Sequence, residues 1–146
     1  MTIWDFQRNV SRALLVWSAI SAAIGLVLGA RRTPFRQGVA SQFLGWPLIN
    51  AGIAVFGALS AARRERTLPD AQSPERRDRE ARNLWRLLRI NAGLDVGYMA
   101  GGLLLMLRPQ SGARLKGTGL GILLQGAFLF WFDLLLSLRV PDVRSS

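Results

Sequence analysis

The residue pattern predicts an all-α, integral-membrane four-helix bundle with both termini inside. Three observations carry the prediction. Half of the 146 residues are hydrophobic although the net charge is +10, so long apolar blocks alternate with short basic ones, as in membrane proteins. Four of the blocks, at about residues 13–30, 38–62, 84–107 and 117–138, are long enough to cross roughly 30 Å of hydrocarbon. The cations cluster by side: two near the N-terminus, nine in the middle stretch and two near the C-terminus, against three in each of the other connections. The positive-inside rule then places both termini and the middle stretch in the cytoplasm. The whole chain, 1–146, reads as one transmembrane domain, with 63–83 as a cytoplasmic charged linker and helix extension.

Thr2 and Asp5 can cap a short helical entry, and Trp4 and Phe6 suit the headgroup level. The first apolar run, 13–30, is expected to be retained: it contains Trp17 and ends in Leu28-Gly29-Ala30, a poor cleavage site for a signal peptide. Ser21, Gly25 and Gly29 form a small-residue ridge suited to close packing. After Arg31, Arg32, Pro34 and Arg36, the second helix carries Gln42, Trp46, Pro47 and Asn50. Pro47 removes a backbone donor and should bend it.

Nine Arg and five acidic residues fill 63–89. Within this stretch Ser73, Pro74 and Glu75 read as an N-cap, a first-turn proline and a first-turn acid. No breaker follows before Pro109, so the third helix is expected to run from about Pro74 to Leu107, its first half projecting into water. Glu75 with Arg79 and Asp78 with Arg82 supply i,i+4 pairs there. Arg108, Pro109, Gly112, Arg114 and Lys116 form the next connection. The fourth helix then carries Gln125 and Asp133, and the tail after it is expected to fray.

Polar residues inside the spans single out a candidate site. Residues 90–107 hold Asn91 and Asp95 among seven Leu, Ile and Val residues. An aspartate near the middle of a span costs about 2.5 to 3.5 kcal/mol and each large aliphatic returns only about 0.3 to 0.6, so this helix needs partners on its polar side. Asn91, Asp95, Tyr98 and Gly102 share one face, and Gly93, Gly97 and Gly101 form an adjoining ridge open to another helix. At 1.5 Å per residue Asp95 and Asp133 share a depth of about 9 Å from the inner boundary, while Asn50 and Gln125 lie about 20 Å in. Because such groups rarely face lipid, Asp95, Asp133, Asn91, Asn50, Gln125, Tyr98 and Gln42 are expected to line one interior, with Ser18 and Ser21 beside them. Two carboxylates close together in low dielectric would not both ionise. They read either as a proton-sensitive or cation-accepting pair opening to the cytoplasm or as packing clamps satisfied by neighbouring polar groups.

A weak duplication accompanies this arrangement. Arg8-Asn9-x-x-Arg12 recurs as Arg82-Asn83-x-x-Arg86, and Gly38, Gln42 and Asn50 recur in spacing as Gly121, Gln125 and Asp133, which suggests a repeated helical hairpin.

Other chemistries find little support. With no His or Cys, disulfides, thiolate and imidazole catalysis and the usual zinc, haem and iron–sulfur ligands drop out. No metal or cofactor is expected. Arg at the ends of apolar runs reads as topology and anionic-lipid contact, so no nucleic acid is expected. The GTGLG entry of the fourth helix lacks the strand and Lys-Ser/Thr of a phosphate loop. Neither aspartate sits in the motifs of intramembrane aspartyl proteases, and the chain is not expected to be an enzyme.

Several strings resemble a family of bacterial four-helix membrane proteins classed only as a domain of unknown function. They are Gln42 with Trp46 to Asn50 and Ala51-Gly52-Ile53-Ala54, Ile90 through Tyr98, Gly117-x-Gly119, and Gln125 to Leu129 with Phe132-Asp133. The resemblance implies a small protein of the bacterial inner membrane and brings no activity with it. Two functional readings stand. One is a small-ligand or cation/proton binding, transport-related module. The other is a non-catalytic accessory subunit that binds a membrane partner or a second copy.

Overall fold

The computed structural model describes residues 1–141 and forms four helices: α1 (Ile3–Ala30), α2 (Pro34–Thr67), α3 (Pro74–Leu107) and α4 (Ala113–Ser137). All four are long and apolar enough to cross a membrane. Residues 142–146, which make up most of the tail expected to fray and include Arg144 of the charge count, lie outside the described residues.

Each start has a local cause. Thr2 and Asp5 bond reciprocally as a capping box, so α1 is one continuous helix of 28 residues and not an entry followed by a span. Thr33 and Ser73 accept from the amides of Arg36 and Arg76, and Pro34 and Pro74 occupy the first turn, where their missing N–H leaves no bond unmade. α2 therefore begins at Pro34, within what the apolar pattern alone assigns to a connection. α4 follows Gly112 without a side-chain cap. Pro47 is buried inside an unbroken α2.

α2 and α3 have 34 residues each, about 51 Å of helix against about 30 Å of hydrocarbon. The surplus of both lies at the basic end, where it packs instead of simply projecting. Ile3 and Trp4 of α1, Ala71 of the 68–73 connection and Ala81 of α3 form a small core flanked by Leu68, Leu84 and Val140. Trp4 is fully buried and its Nε1 donates to the Ala71 carbonyl at 3.0 Å. Phe6 is buried too. The two aromatics expected at headgroup level are thus enclosed by the protein itself: an indole with apolar neighbours and a partner for its N–H has no need of a wet interface. Arg8 bridges Asp5 at 2.6 Å and Glu65 at 2.5 Å, Arg76 holds Asp70 at 3.0 Å, and Arg82 pairs with Asp78.

α1 packs along α2 and α3 along α4; the two hairpins meet through α2 and α4, and α1 hardly touches α3. Glycines set these approaches. A Cβ at Gly38 would strike the Arg114 carbonyl, and one at Gly117 would strike that of Phe35, where α2 crosses α4. Gly25 lies against Phe43 and Leu44 of α2, and Gly102 against the Gly119 carbonyl of α4. The Gly93, Gly97 and Gly101 ridge is open, with nothing within 4 Å of any of the three. α3 instead buries Leu88, Ala92, Asp95 and Gly102. Turning the costly Asp95 inward leaves the glycine ridge on the opposite side of the helix. Large aliphatics and aromatics coat the outside, among them Leu48 and Phe56 at 78% and 75% exposed, a surface suited to lipid and not to water.

Candidate functional site

The bundle is layered from the basic end inward. A cleft of about 400 Å³ opens there, bordered by all four helices. Gln7, Arg64, Glu80 and Asn83 stand at its mouth; Ser11, Leu14, Ala54, Asn91, Phe132 and Asp133 lie deeper. Of these, Leu14, Ala54 and Phe132 also pack with Leu129, Trp46 and Phe128, and Trp17 stacks on Phe128 with centroids 3.5 Å apart. This apolar layer closes the cleft from the far side.

Beyond it lies a polar layer whose groups satisfy one another. Gln125 is fully buried. Its Nε2 donates to Ser21 Oγ at 2.6 Å and its Oε1 accepts from Trp17 Nε1 at 3.3 Å, while Ser21 Oγ donates to the Phe43 carbonyl at 3.4 Å. Gln125 therefore ties α4 to α1 and does not line the cleft.

The cleft residues behave otherwise. Asp133 is 7% exposed, and among the described residues nothing donates a hydrogen bond to its carboxylate; it lines the cleft, as does Asn91. Asp95 is close enough to Asp133 for their charges to interact. It is buried behind the lining with Oδ2 lacking a hydrogen bond, as does Asn50 Nδ2 one turn beyond Ala54. Buried polar atoms normally find partners, so the aspartates and Asn50 are not explained as satisfied clamps.

The structure does not bring the remaining expected residues into one chamber. Tyr98 is 45% exposed and sits edge-on to Trp46 on the outer flank of α3. Gln42 is half-buried, packs its aliphatic stem on Gly121, and donates only to Ser41 Oγ at 3.3 Å. Tyr98 lies about 60° of helical rotation from Asp95, enough to move a long side chain from core to rim. The proposed hairpin repeat is compatible with the pairing of helices, yet its matched glutamines have unlike surroundings, Gln125 enclosed and Gln42 marginal.

Two residues at the mouth escape a reading by span. Glu80 is 6% exposed and lies 3.2 Å from Arg64 Nε, although that N–H is not aimed at it. The sequence treats both as part of a solvated charged stretch. Stepping back from Asp95 by helical spacing through Leu88 and Leu84 reaches Glu80 and Ala81, and would have placed Glu80 on the inward face.

Fold and cleft together define a four-helix protein with apolar, membrane-length helices and a recess at its basic end that holds a buried carboxylate. The chain matches a family of unknown function (DUF6992) over residues 13–134 and belongs to it. That match covers Asp95, Asp133 and the strings that carried the resemblance, but not the Ile3 and Trp4 part of the basic-end core. No match is found among curated proteins or solved structures.

Proposed function

We propose that this is a multi-pass protein of a bacterial inner membrane that binds a small ligand or cation in the cleft ending on Asp133, with its basic end in the cytoplasm. The excess of cations at the end that carries both the N-terminus and the 68–73 connection supports the orientation. The observation that carries the function is a buried carboxylate with no hydrogen-bond donor among the described residues, lining a recess large enough for a small molecule. An ionisable residue inside a membrane domain is costly to keep there, and binding sites and ion or proton paths are its recurrent uses. The apolar layer of Leu129, Trp46 and Phe128 makes the recess one-sided, so the reading is of a cytoplasm-facing binding module, and any transport would need that layer to move.

Cysteine accessibility tests it. The chain has no cysteine, and Gly57 borders the cleft with only Ser11 Oγ, at 3.7 Å, near a Cβ placed there. Gly57→Cys should react with a membrane-impermeant maleimide in inside-out vesicles but not in right-side-out ones, whereas Gly52→Cys, on the outer face, should react in neither. Failure of Gly57→Cys to react from either side would remove the proposal.

A second reading, a non-catalytic accessory subunit with a membrane partner or a second copy, is favoured by one feature: the uncovered Gly93, Gly97 and Gly101 ridge beside the exposed Ile90, Leu94 and Leu104. Crosslinking through Gly97→Cys in membranes distinguishes it, since only a docked helix at that ridge would give a defined adduct.

A further inference from the structure

The geometry points to a primary or secondary organic ammonium with an apolar body as the ligand class of the cleft. This rests on the cleft being a binding site and adds what it selects. The first argument is charge. The charged lining residues are Arg64, Glu80 and Asp133, one cation and two anions, so with its carboxylates ionised the recess sums to −1 in a chain whose net charge is +10. Arg64 stands 3.2 Å from Glu80 at the mouth, so among the described lining residues the remaining charge is Asp133 at the deep end, with the Asp95 carboxylate buried behind it. An entering cation meets a neutralised mouth and a negative floor.

The second argument is donor chemistry. Calcium or magnesium demands six or more oxygens at short range and zinc three or four His, Cys or carboxylate ligands, and no group of three acidic, His or Cys side chains is arranged for a metal among the described residues. An ammonium asks for less. Its N–H donors need two or three acceptors, and Asp133 together with the amide oxygen of Asn91 supplies them. A quaternary ammonium has no N–H to give and forgoes these bonds.

Third, most of the wall is hydrocarbon. Leu14, Ile53, Ala54, Leu87, Leu88 and Phe132 surround that single charge within about 400 Å³. A bare monovalent ion would lose its hydration and gain nothing from such walls, whereas the body of an organic amine is sheltered by them.

The test uses three probes of one shape and different charge: 2-phenylethylammonium, 2-phenylethanol and phenylacetate. Each is added at constant ionic strength to the full-length Gly57→Cys protein in nanodiscs, and the rate of labelling by a water-soluble maleimide is followed. The amine should slow labelling at least about tenfold at saturation, with the alcohol and the acid ineffective at the same concentration and sodium without effect. Asp133→Asn in the same background should weaken protection by about tenfold or more, the loss expected for a charge-assisted bond. The comparison among probes needs only the parent variant, so it decides the matter even where Asp133→Asn folds poorly. Equal protection by the alcohol, protection by phenylacetate, or labelling that no probe slows each overturns the ammonium assignment and leaves the cleft as a site for something else. A Gly57→Cys protein that never reacts removes both the assignment and the cleft reading beneath it.

Discussion

Gln125 of α4 donates to Ser21 of α1 at 2.6 Å, 104 residues apart in sequence, and both side chains are fully enclosed. Among the described residues, this bond and the one from Trp17 are the side-chain hydrogen bonds that tie the first helix to the last. Gln125→Leu, which keeps the volume and deletes both bonds, should lower stability by about 1 kcal/mol, the scale of interhelical hydrogen bonds in membranes. Gln125→Ala also opens a void and should cost about 2–4 kcal/mol. Reversible unfolding in mixed micelles measures both; an Ala variant no worse than the Leu variant would show that the layer collapses around the gap.

The glycines divide by what faces them. Gly117→Ala would drive a methyl into the Phe35 backbone and should cost more than about 2 kcal/mol, because backbone cannot step aside. Gly121→Ala meets the Gln42 Cβ at 2.7 Å and, less closely, the Val39 carbonyl at 3.2 Å, so it should also destabilise, though by less than Gly117→Ala, whose clash with backbone is closer. Gly97→Ala meets nothing within the chain and should be neutral or stabilising by up to about 1 kcal/mol from helix propensity. The same unfolding assay ranks the three. Destabilisation by Gly97→Ala would mean that a partner covers this ridge in the folded state.

Helix existence was legible because hydrophobic blocks, prolines and caps all act locally. Ser73-Pro74-Glu75 marks a helix start wherever it occurs, and the observed α3 begins there. Burial of Asp95 and Asp133 follows from the cost of exposing a carboxylate to lipid, whatever the neighbours. What surrounds each polar group was not legible. Gln125 and Asp133 lie eight residues apart on one helix, yet one is saturated by Ser21 and Trp17 while the other lines a cleft. That difference is set by α1 and α2, which no period within α4 encodes. The enclosure of Trp4 was hidden for the same reason: its partner, the Ala71 carbonyl, lies 67 residues away.

Trp4 should act as the lock on the basic-end core. Trp4→Phe removes the bond to Ala71 and should cost about 1 kcal/mol, whereas Trp4→Ala also empties a fully buried site and should cost about 3–5 kcal/mol locally. The 68–73 connection and the first turn of α3 would then loosen. Limited trypsin digestion at Arg76 and Arg77 reads this out: rapid cleavage is expected in Trp4→Ala, slow cleavage in wild type. Equal rates would show that the connection is held by something else.

Acid should fray the start of α1 at an identifiable residue. Hydrogen bonds from the Thr2 side chain and backbone, and then the Arg8 guanidinium, pull the Asp5 carboxyl down from 3.8 to about 2. A depressed carboxyl stabilises the folded state above its ordinary value and loses that contribution as pH falls through the folded value. The cap should therefore hold at pH 5 and weaken between about pH 4 and pH 2. Amide exchange of the Asp5 and Phe6 N–H groups should accelerate across that window in wild type. In Asp5→Asn it should already be faster at pH 5 and change little below. An acceleration centred near neutral pH would contradict the assignment to Asp5.

Arg64 and Glu80 should prove unequal when removed. Glu80 is 6% exposed, while the Arg64 side chain is 42% exposed. Arg64→Ala strands a buried carboxylate, for a cost of about 2–3 kcal/mol, toward the low end of the range for broken buried pairs because the cleft mouth admits water. Glu80→Gln leaves a half-exposed guanidinium that water can solvate and a neutral amide of the same shape, for about 1 kcal/mol or less. The two also move the cleft charge in opposite senses. Removing Arg64 takes the lining from −1 to −2, and neutralising Glu80 takes it from −1 to 0. Protection of Gly57→Cys by 2-phenylethylammonium should accordingly strengthen in Arg64→Ala and weaken in Glu80→Gln, although the first is the less stable protein. A shift of both variants in the same direction would show that packing at the mouth, and not its charge, governs entry.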